Sequence, residues 1–94
     1  MFSYKLSLEA ENDITRLYEY GFYKFGITQA DKYYDMLFEC FDKIASNPHL
    51  FPSANHIKTG FRSCVCGVDT IYYTIKENYL IEIITIISRQ DFPK

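Results

Sequence analysis

Three cysteines and two histidines are the residues of this sequence most capable of binding a metal, forming a disulfide or acting as a catalytic pair. Cys64 and Cys66 are two positions apart and would share one face of a strand, which is a poor arrangement for a mutual disulfide. There is no CxxC pair, and with only His49 and His56 as additional ligands the spacing does not match a zinc site. The pattern favours small, partly apolar thiols in a reduced cytosolic protein. We therefore predict no metal and no cofactor.

Catalytic chemistry has little support elsewhere in the sequence. His49 and His56 have no adjacent Ser or Cys that would suggest a nucleophile–base pair. No GxxxxGK[ST], GxGxxG or HExxH pattern occurs, so nucleotide or protease chemistry is not indicated. The formal net charge is −2 and the sequence pI is about 5.6. Because contacts with phosphates need an excess of basic residues, we expect no direct binding of nucleic acid.

The stretch from Val68 to Ile87 predicts a β-hairpin around which the other elements are arranged. Two runs rich in β-branched and aromatic residues are joined by the short polar turn Lys76-Glu77-Asn78. The second run is apolar on both faces, with one face formed by Tyr79, Ile81, Ile83 and Ile87 and the other by Leu80, Ile84 and Ile86. A strand of this kind is normally covered on both sides. We expect helices on one side and, on the other, the loop of residues 49–60, a terminus or another protein.

The remaining elements follow from local patterns. Residues 2–8 alternate as a half-buried strand, with Leu8 among its apolar positions, and Ser7 is a plausible N-cap for a first helix that ends at Gly26. A second helix is predicted to begin at Thr28, with Asp31 completing a capping box, and to end at Asn47-Pro48. Phe61–Cys66 forms the next strand.

The order strand, helix, helix, strand, strand, strand predicts one α+β domain over residues 1–94. A helical hairpin should pack on one face of a mostly antiparallel sheet. No apolar run approaches the roughly 20 residues that span a bilayer, and the chain opens directly on a strand without a signal peptide. We expect a cytoplasmic protein that does not contact membranes.

A series of different short motifs follows in a fixed order along almost the whole chain. They are Tyr4-Lys5-Leu6-Ser7, Ala10 with Asp13-Ile14, Tyr20 before Phe25-Gly26, Gln29-Ala30 with Tyr33, Ile44-Ala45 with Asn47-Pro48, Gly60-Phe61-Arg62, Ile71-Tyr72-Tyr73, and Ile83 with Ile86-Ile87 before Arg89-Gln90-Asp91. At these spacings the chain resembles a ParE-type toxin of the RelE/ParE superfamily from bacterial toxin–antitoxin modules. The resemblance implies a RelE/ParE-like fold and a toxin that inhibits DNA gyrase by protein–protein contact. It also implies a cognate ParD-like antitoxin whose disordered segment folds over the toxin.

Two positions depart from that family. ParE-like chains often carry a His at the exit of the last strand and a His or basic residue in the first strand of the hairpin, where this sequence has Ser88 and Asp69. The alternative interpretation is a RelE-like ribosome-dependent mRNA endoribonuclease, which relies on several basic residues and a Tyr. An acid at position 69 and few clustered cations weaken it, because phosphate cleavage needs positive charge where negative charge develops.

Six residues are candidates for contact with the target or the antitoxin. Arg62 is expected either to pair with a carboxylate of a partner or to form an internal salt bridge. Tyr72 and Tyr73 point to opposite faces, so at most one should be core, and Tyr72 is the contact candidate. The exit of the last strand is expected to be either a target-facing end or a solvated tail, and its candidates are Arg89, Gln90, Asp91 and Phe92.

Overall fold

A computed structural model describes residues 2–88 of the chain. The elements are β1 (Ser3–Leu6), α1 (Leu8–Phe25), α2 (Ile27–Ser46), β2 (Arg62–Cys66), β3 (Asp69–Lys76) and β4 (Leu80–Ser88). The four strands form one sheet in the order β1-β4-β3-β2. β1 runs parallel to β4, and the other two pairs are antiparallel. The predicted α+β architecture with a helical hairpin on a mostly antiparallel sheet is confirmed.

Ser7 joins the first strand to the first helix. Its Oγ accepts a hydrogen bond from the Ala10 amide at 3.0 Å, and its hydroxyl donates to the carbonyl of Ile84 at 2.6 Å. The predicted N-cap is therefore confirmed, and it also ties the start of α1 to β4. The predicted strand is too long, because Leu8 begins the helix and is 74% exposed instead of facing the core.

Gly26 is the only residue between the two helices. It has φ +91° and ψ 172°, a conformation that non-glycine residues rarely adopt, and its amide donates to the carbonyl of Phe22 at 2.9 Å. It ends α1 as predicted. The predicted start of α2 at Thr28 is wrong, because Gly26 caps both helices and α2 begins at Ile27 without a side-chain cap. Asp31, expected in the capping box, instead accepts from the Tyr18 hydroxyl at 2.7 Å.

The main core lies between the helical hairpin and the sheet. The largest side chains that it buries completely are Leu37, Phe41, Ile44, Ile71, Tyr73, Ile81, Ile83 and Ile86. The apolar positions of α2 therefore face the sheet, as predicted from their helical spacing. Helical spacing in the sequence also predicts an apolar stripe on α1 that includes Phe22 and Phe25. This prediction is only partly correct, because these two side chains in the last turns of α1 are 44% and 62% exposed. Neither helix of the described chain has both the length and the apolar character needed to cross a membrane.

A β-bulge in β4 changes which of its side chains face the helices. Tyr73 pairs with Ile83 whereas the preceding Tyr72 pairs with Thr85, so one residue of β4 is inserted between them. Beyond this point Ile86 pairs with Ile71 and is fully buried in the main core. The predicted alternation, which put Ile86 on the face opposite Ile83, is wrong because the bulge shifts the alternation by one position. The sheet face away from the helices is consequently less apolar than predicted.

A disulfide links Cys40 of α2 to Cys66 of β2, with 6.3 Å between the two Cα atoms. The prediction of three free thiols is wrong, because packing of α2 on the sheet brings together two cysteines that are 26 residues apart. Cys64 remains a free, buried thiol. Burial raises the pKa of the Cys64 thiol, and the nearby Lys43 opposes that rise.

Candidate functional site

An apolar cavity of about 360 Å³ opens where the helical hairpin meets the end of the sheet. Its wall comes from both helices, from the turn before β3, from the first residue of β3 and from the last residue of β4. The lining residues are Leu17, Tyr20, Gly21, Phe25, Gln29, Tyr33, Val68, Asp69 and Ser88. The volume is at the lower end of the range of roughly 300–1,000 Å³ that is usual for ligand sites. The cavity has room for one or two side chains of a binding partner.

The polar part of the cavity is a small cluster at the sheet. Asp69 and Ser88 face each other as a cross-strand pair, and they are only 2% and 4% exposed. The Tyr33 hydroxyl, projecting from α2, donates a hydrogen bond to Asp69 Oδ2. A buried carboxylate needs hydrogen-bond donors or a counter-charge, because its transfer from water is costly. The cluster therefore places an acidic group in the wall of a cavity whose lining is largely apolar.

The rim of the cavity is unusually apolar for a surface. Tyr20, Phe25 and Val68 line the cavity and are 39%, 62% and 63% exposed. The exposed side chains continue around the end of the helical hairpin, where Tyr23 and Ile27 are 83% and 58% exposed. A contiguous exposed apolar area on a small protein commonly marks a binding surface. The geometry is suited to holding another polypeptide.

The two positions singled out as departures from the family, Asp69 and Ser88, are the pair brought together at this cavity. No local pattern predicts that they are cross-strand neighbours, because the bulge in β4 changes the register. Tyr33 was only one aromatic residue in a helical stripe, and its contact with Asp69 depends on how α2 packs. Leu17 and Phe25 had a local signal, their helical spacing, but that signal indicated core and not a cavity wall.

Arg62 lies away from this cavity, at the other end of the strand pair. Its Nη1 donates to the carbonyl oxygens of Phe51 at 2.7 Å and His49 at 3.4 Å. The ion pairs formed within residues 2–88 do not include it. The guanidinium therefore holds the loop of residues 49–60 against β2. Its contact with a partner stays a prediction.

Tyr72 and Tyr73 are both buried, at 7% and 0% exposure, although of the two only Tyr73 is part of the main core cluster. Tyr73 belongs to the main core, and its hydroxyl donates to the Pro48 carbonyl at 2.5 Å. Tyr72 lies on the other face between Ser63 and Thr85 and is outside the main core cluster. A role for Tyr72 in partner contact stays a prediction, and only a small part of its surface is accessible.

The other four candidates, Arg89, Gln90, Asp91 and Phe92, lie outside the described residues. Their chain leaves β4 directly after Ser88, and Ser88 lines the cavity. Any partner seated in the cavity is therefore adjacent to the start of this tail. Within residues 2–88, no three His, Cys, Asp or Glu side chains are grouped so that they could hold a metal ion.

Comparisons with known proteins agree with one another. The sequence matches, over residues 4–92, the family described as ParE toxin of type II toxin-antitoxin system, parDE. It is 23% identical over 87 residues to Toxin ParE1 of Mycobacterium tuberculosis, covering 93% of this chain and 89% of that one. It is 26% identical over 72 residues to Toxin ParE1 of Caulobacter vibrioides, covering 77% and 75%.

The fold also matches a solved structure, that of a chromosomal ParDE toxin–antitoxin system from P. aeruginosa. The TM-score is 0.81 at 18% sequence identity, and the match covers 94% of this chain and 96% of that chain. At this identity the likeness concerns the fold alone. The family match extends over nearly the whole sequence, and the chain therefore belongs to the ParE toxins of type II toxin–antitoxin systems.

Proposed function

We propose that this protein inhibits DNA gyrase by direct protein–protein contact and is neutralised by a cognate ParD-like antitoxin. It acts without catalysis, in the cytoplasm where gyrase works. The observation that carries the proposal is the apolar cavity with its exposed aromatic rim at the end of the molecule from which the tail leaves. Such a surface has the chemistry of a protein-binding site.

The electrostatics of the cavity support binding over phosphate chemistry. Among the described residues 2–88, the cavity lining includes no Lys, Arg or His, and it does include the carboxylate of Asp69. Cleavage of an mRNA phosphate requires cations or donors near the developing negative charge. A carboxylate at this position would repel that charge. This argues against the RelE-like endoribonuclease.

The antitoxin accounts for the exposed apolar side chains. Tyr20, Phe25 and Val68 would be covered by a segment that folds on binding, which is how disordered antitoxin regions gain affinity. Because the tail starts at the edge of the same cavity, a bound antitoxin would also obstruct the tail. We propose that the antitoxin neutralises the toxin by occluding this target-binding end.

The test is a gyrase supercoiling assay with the purified protein, alone and with the protein encoded by the neighbouring gene. We expect inhibition by the toxin alone and recovery of supercoiling when the neighbour is added. A parallel reaction with translating ribosomes tests the alternative function. Cleavage of ribosome-bound mRNA without inhibition of gyrase would contradict the proposal and support the endoribonuclease.

A further inference from the structure

We propose that the disulfide between Cys40 and Cys66 is a redox-active site that controls how tightly the toxin binds its antitoxin. The oxidised form holds one wall of the cavity in place, and reduction by a cytoplasmic thiol releases it. The reduced form binds the antitoxin more weakly, because its cavity is no longer preorganised. This inference rests on the proposed antitoxin partnership and adds a means of regulation to it.

One side of α2 contacts the segment that ends β2 and leads into β3. Cys40 is bonded to Cys66, and the Sγ of Cys66 lies 3.6 Å from the carbonyl oxygen of Met36. A Cβ added at Gly67 would be 3.1 Å from the methyl carbon of Met36, so the turn packs closely on α2. Val68 is the next residue, and it lines the cavity. The crosslink thus adjoins the turn that forms this part of the cavity wall.

The crosslink matters at this place because β2 is an edge strand. In the sheet formed by residues 2–88 it is the last strand, and β3 is the strand with which it pairs. An isolated bridge between Ser53 and Arg62 supports the opposite end of β2. Segments with few partners open locally at a lower free energy than the centre of a sheet. Loss of the covalent bond should therefore loosen the Cys66 end of β2 and the turn after it, while the main core stays folded.

Reduction consumes two thiol groups of the reductant and transfers two electrons to the protein. A thiolate of the reductant attacks one sulfur, which breaks the S–S bond and forms a mixed disulfide. A second thiolate of the reductant then attacks its partner sulfur in that mixed disulfide and releases the second cysteine. The protein gains two thiols, with protons supplied by the two thiols of the reductant, and the reductant becomes a disulfide. Cys40 is the more accessible sulfur, at 7% exposure against 2% for Cys66.

The compartment and the third cysteine both favour an external reductant. The cytoplasm keeps most thiols reduced, so a crosslink in a protein that acts there depends on redox conditions. Cys64 is 4% exposed, and burial raises the pKa of its thiol. Because the thiolate is the attacking species, Cys64 is a poor internal nucleophile. The pair Cys40 and Cys66 therefore exchanges electrons with a thiol from solution.

The first measurement uses the ¹⁵N-labelled toxin alone in glutathione buffers that range from oxidising to reducing. The number of thiols, counted with a chromogenic reagent after unfolding, should increase from one to three per chain. The backbone amides of Gly67 and Val68 should shift at the same time. Those of Glu77 and Leu80, at the other end of the β3–β4 hairpin, should not. Three thiols in oxidising buffer, or Gly67 and Val68 amides that do not respond to loss of the crosslink, would overturn the proposal.

The second measurement is the affinity of the toxin for the protein encoded by the neighbouring gene, by isothermal titration calorimetry. We expect the reduced toxin to bind about tenfold more weakly than the oxidised toxin, which is a typical size for coupling between two sites. The double substitution Cys40→Ala and Cys66→Ala should bind like the reduced toxin in both buffers. This result would also show that the reductant acts on the toxin and not on its partner. Equal affinities of the oxidised and reduced toxin would contradict the proposal.

Two further variants separate the crosslink from other effects of reduction. Cys64→Ala removes the free thiol and should keep the tenfold response. Asp13→Ala removes hydrogen bonds to β4 and leaves the crosslink intact, so it controls for lower stability and should bind like the oxidised native toxin. A tenfold loss of affinity in Asp13→Ala would show that general destabilisation weakens binding. If neither redox form binds the neighbouring protein, the antitoxin partnership fails, whereas the amide shifts of the toxin alone still decide whether the crosslink controls the cavity wall.

Discussion

Asp13 occupies a place in the sheet that a strand would otherwise fill. β1 pairs with β4 only as far as Ile83, and beyond it the carboxylate of Asp13 projects from α1. Its Oδ2 accepts from the Thr85 hydroxyl at 2.6 Å and from the Ile86 amide at 3.0 Å. A buried hydrogen-bond donor without an acceptor costs free energy. The Asp13 carboxylate supplies that acceptor to β4 where β1 no longer pairs with it.

Replacing Asp13 with Ala should therefore lower the free energy of unfolding by about 2–3 kcal/mol, because two partly buried donors lose a charged acceptor. Urea denaturation followed by circular dichroism measures the change. Asp35→Ala, which removes an exposed acid from α2, is the control and should change stability by less than about 0.5 kcal/mol. Similar effects of the two substitutions would show that the contacts of Asp13 contribute nothing.

Tyr73 should make stability depend on alkaline pH. Burial raises the pKa of its hydroxyl from 10.0 to about 12, and Arg62 opposes the rise. The pKa of the Tyr73 hydroxyl is higher in the folded state than in the unfolded state. The stability that the protonated hydroxyl contributes is therefore complete below pH 10 and disappears as pH approaches 12.

Tyr73→Phe removes both this titration and the hydrogen bond to Pro48. At neutral pH the variant should be less stable by about 1 kcal/mol. The difference in unfolding free energy between the two proteins should narrow as pH rises from 9 to 11.5. Tyr4 and Tyr18 also have raised pKa values, Tyr4 through burial and Tyr18 through its hydrogen bond to Asp31. Because both tyrosines are present in both proteins, their effects on stability cancel in the difference. A constant difference across this range would contradict the assignment to Tyr73.

At the scale of elements, the disulfide between Cys40 and Cys66 fixes α2 to the edge strand β2. Gly67 and Val68 follow Cys66 in the chain, so the disulfide also tethers the turn whose Val68 lines the cavity. A loop of about 26 residues closed by a disulfide is expected to stabilise a protein by about 3–4 kcal/mol in the chain-entropy description.

Reduction with dithiothreitol, or the double substitution Cys40→Ala and Cys66→Ala, should therefore lower the free energy of unfolding by roughly that amount. Cys64→Ala is the control, since it removes the third, free thiol and leaves the crosslink in place. Dithiothreitol should still lower the stability of the Cys64→Ala variant, whereas it should not change the stability of the double variant. If the reductant leaves the stability of the native protein unchanged, the crosslink is absent or without effect.

The junction of the two helices gives a second prediction at this scale. Gly26→Ala should destabilise the protein by about 1–3 kcal/mol because Ala rarely adopts φ +91° with ψ 172°, although nothing lies within 4 Å of the added Cβ. Gly21→Ala is the contrasting control within α1. Its added Cβ would be at ordinary distance from Ala30, 3.7–3.8 Å, so it should be neutral or stabilise by up to about 1 kcal/mol. Thermal unfolding of both variants tests this, and an equal loss from both would contradict the conformational explanation.

At the scale of the whole molecule, one end carries the cavity, the apolar rim and the start of the tail, and the rest of the sheet and helices supports it. Deleting residues 89–94 should leave the circular dichroism spectrum and the unfolding midpoint nearly unchanged, because residues 2–88 by themselves already contain a main core between the helices and the sheet. The same deletion should abolish inhibition of gyrase in the supercoiling assay. A folded, fully inhibitory deletion variant would show that the target-binding surface lies elsewhere.

Much of the fold could be read from the sequence because its signals are local. Ser7 and Gly26 mark the ends of α1 by chemistry that acts within one turn of helix. The alternation in β1 and the apolar spacing of α2 reflect the geometry of each element by itself. The order of these elements was enough to predict the α+β class and the mostly antiparallel sheet, and the ordered motifs were enough to suggest the family.

The features that depend on contacts between distant residues could not be predicted from the sequence. The bulge that turns Ile86 inward, the bond between Cys40 and Cys66, and the meeting of Tyr33 with Asp69 each require two elements to be packed together. No local pattern encodes such contacts, because their geometry depends on how the helices lie on the sheet. Local patterns thus specify which elements form and in what order, and packing creates the cavity, since a cavity exists only between elements.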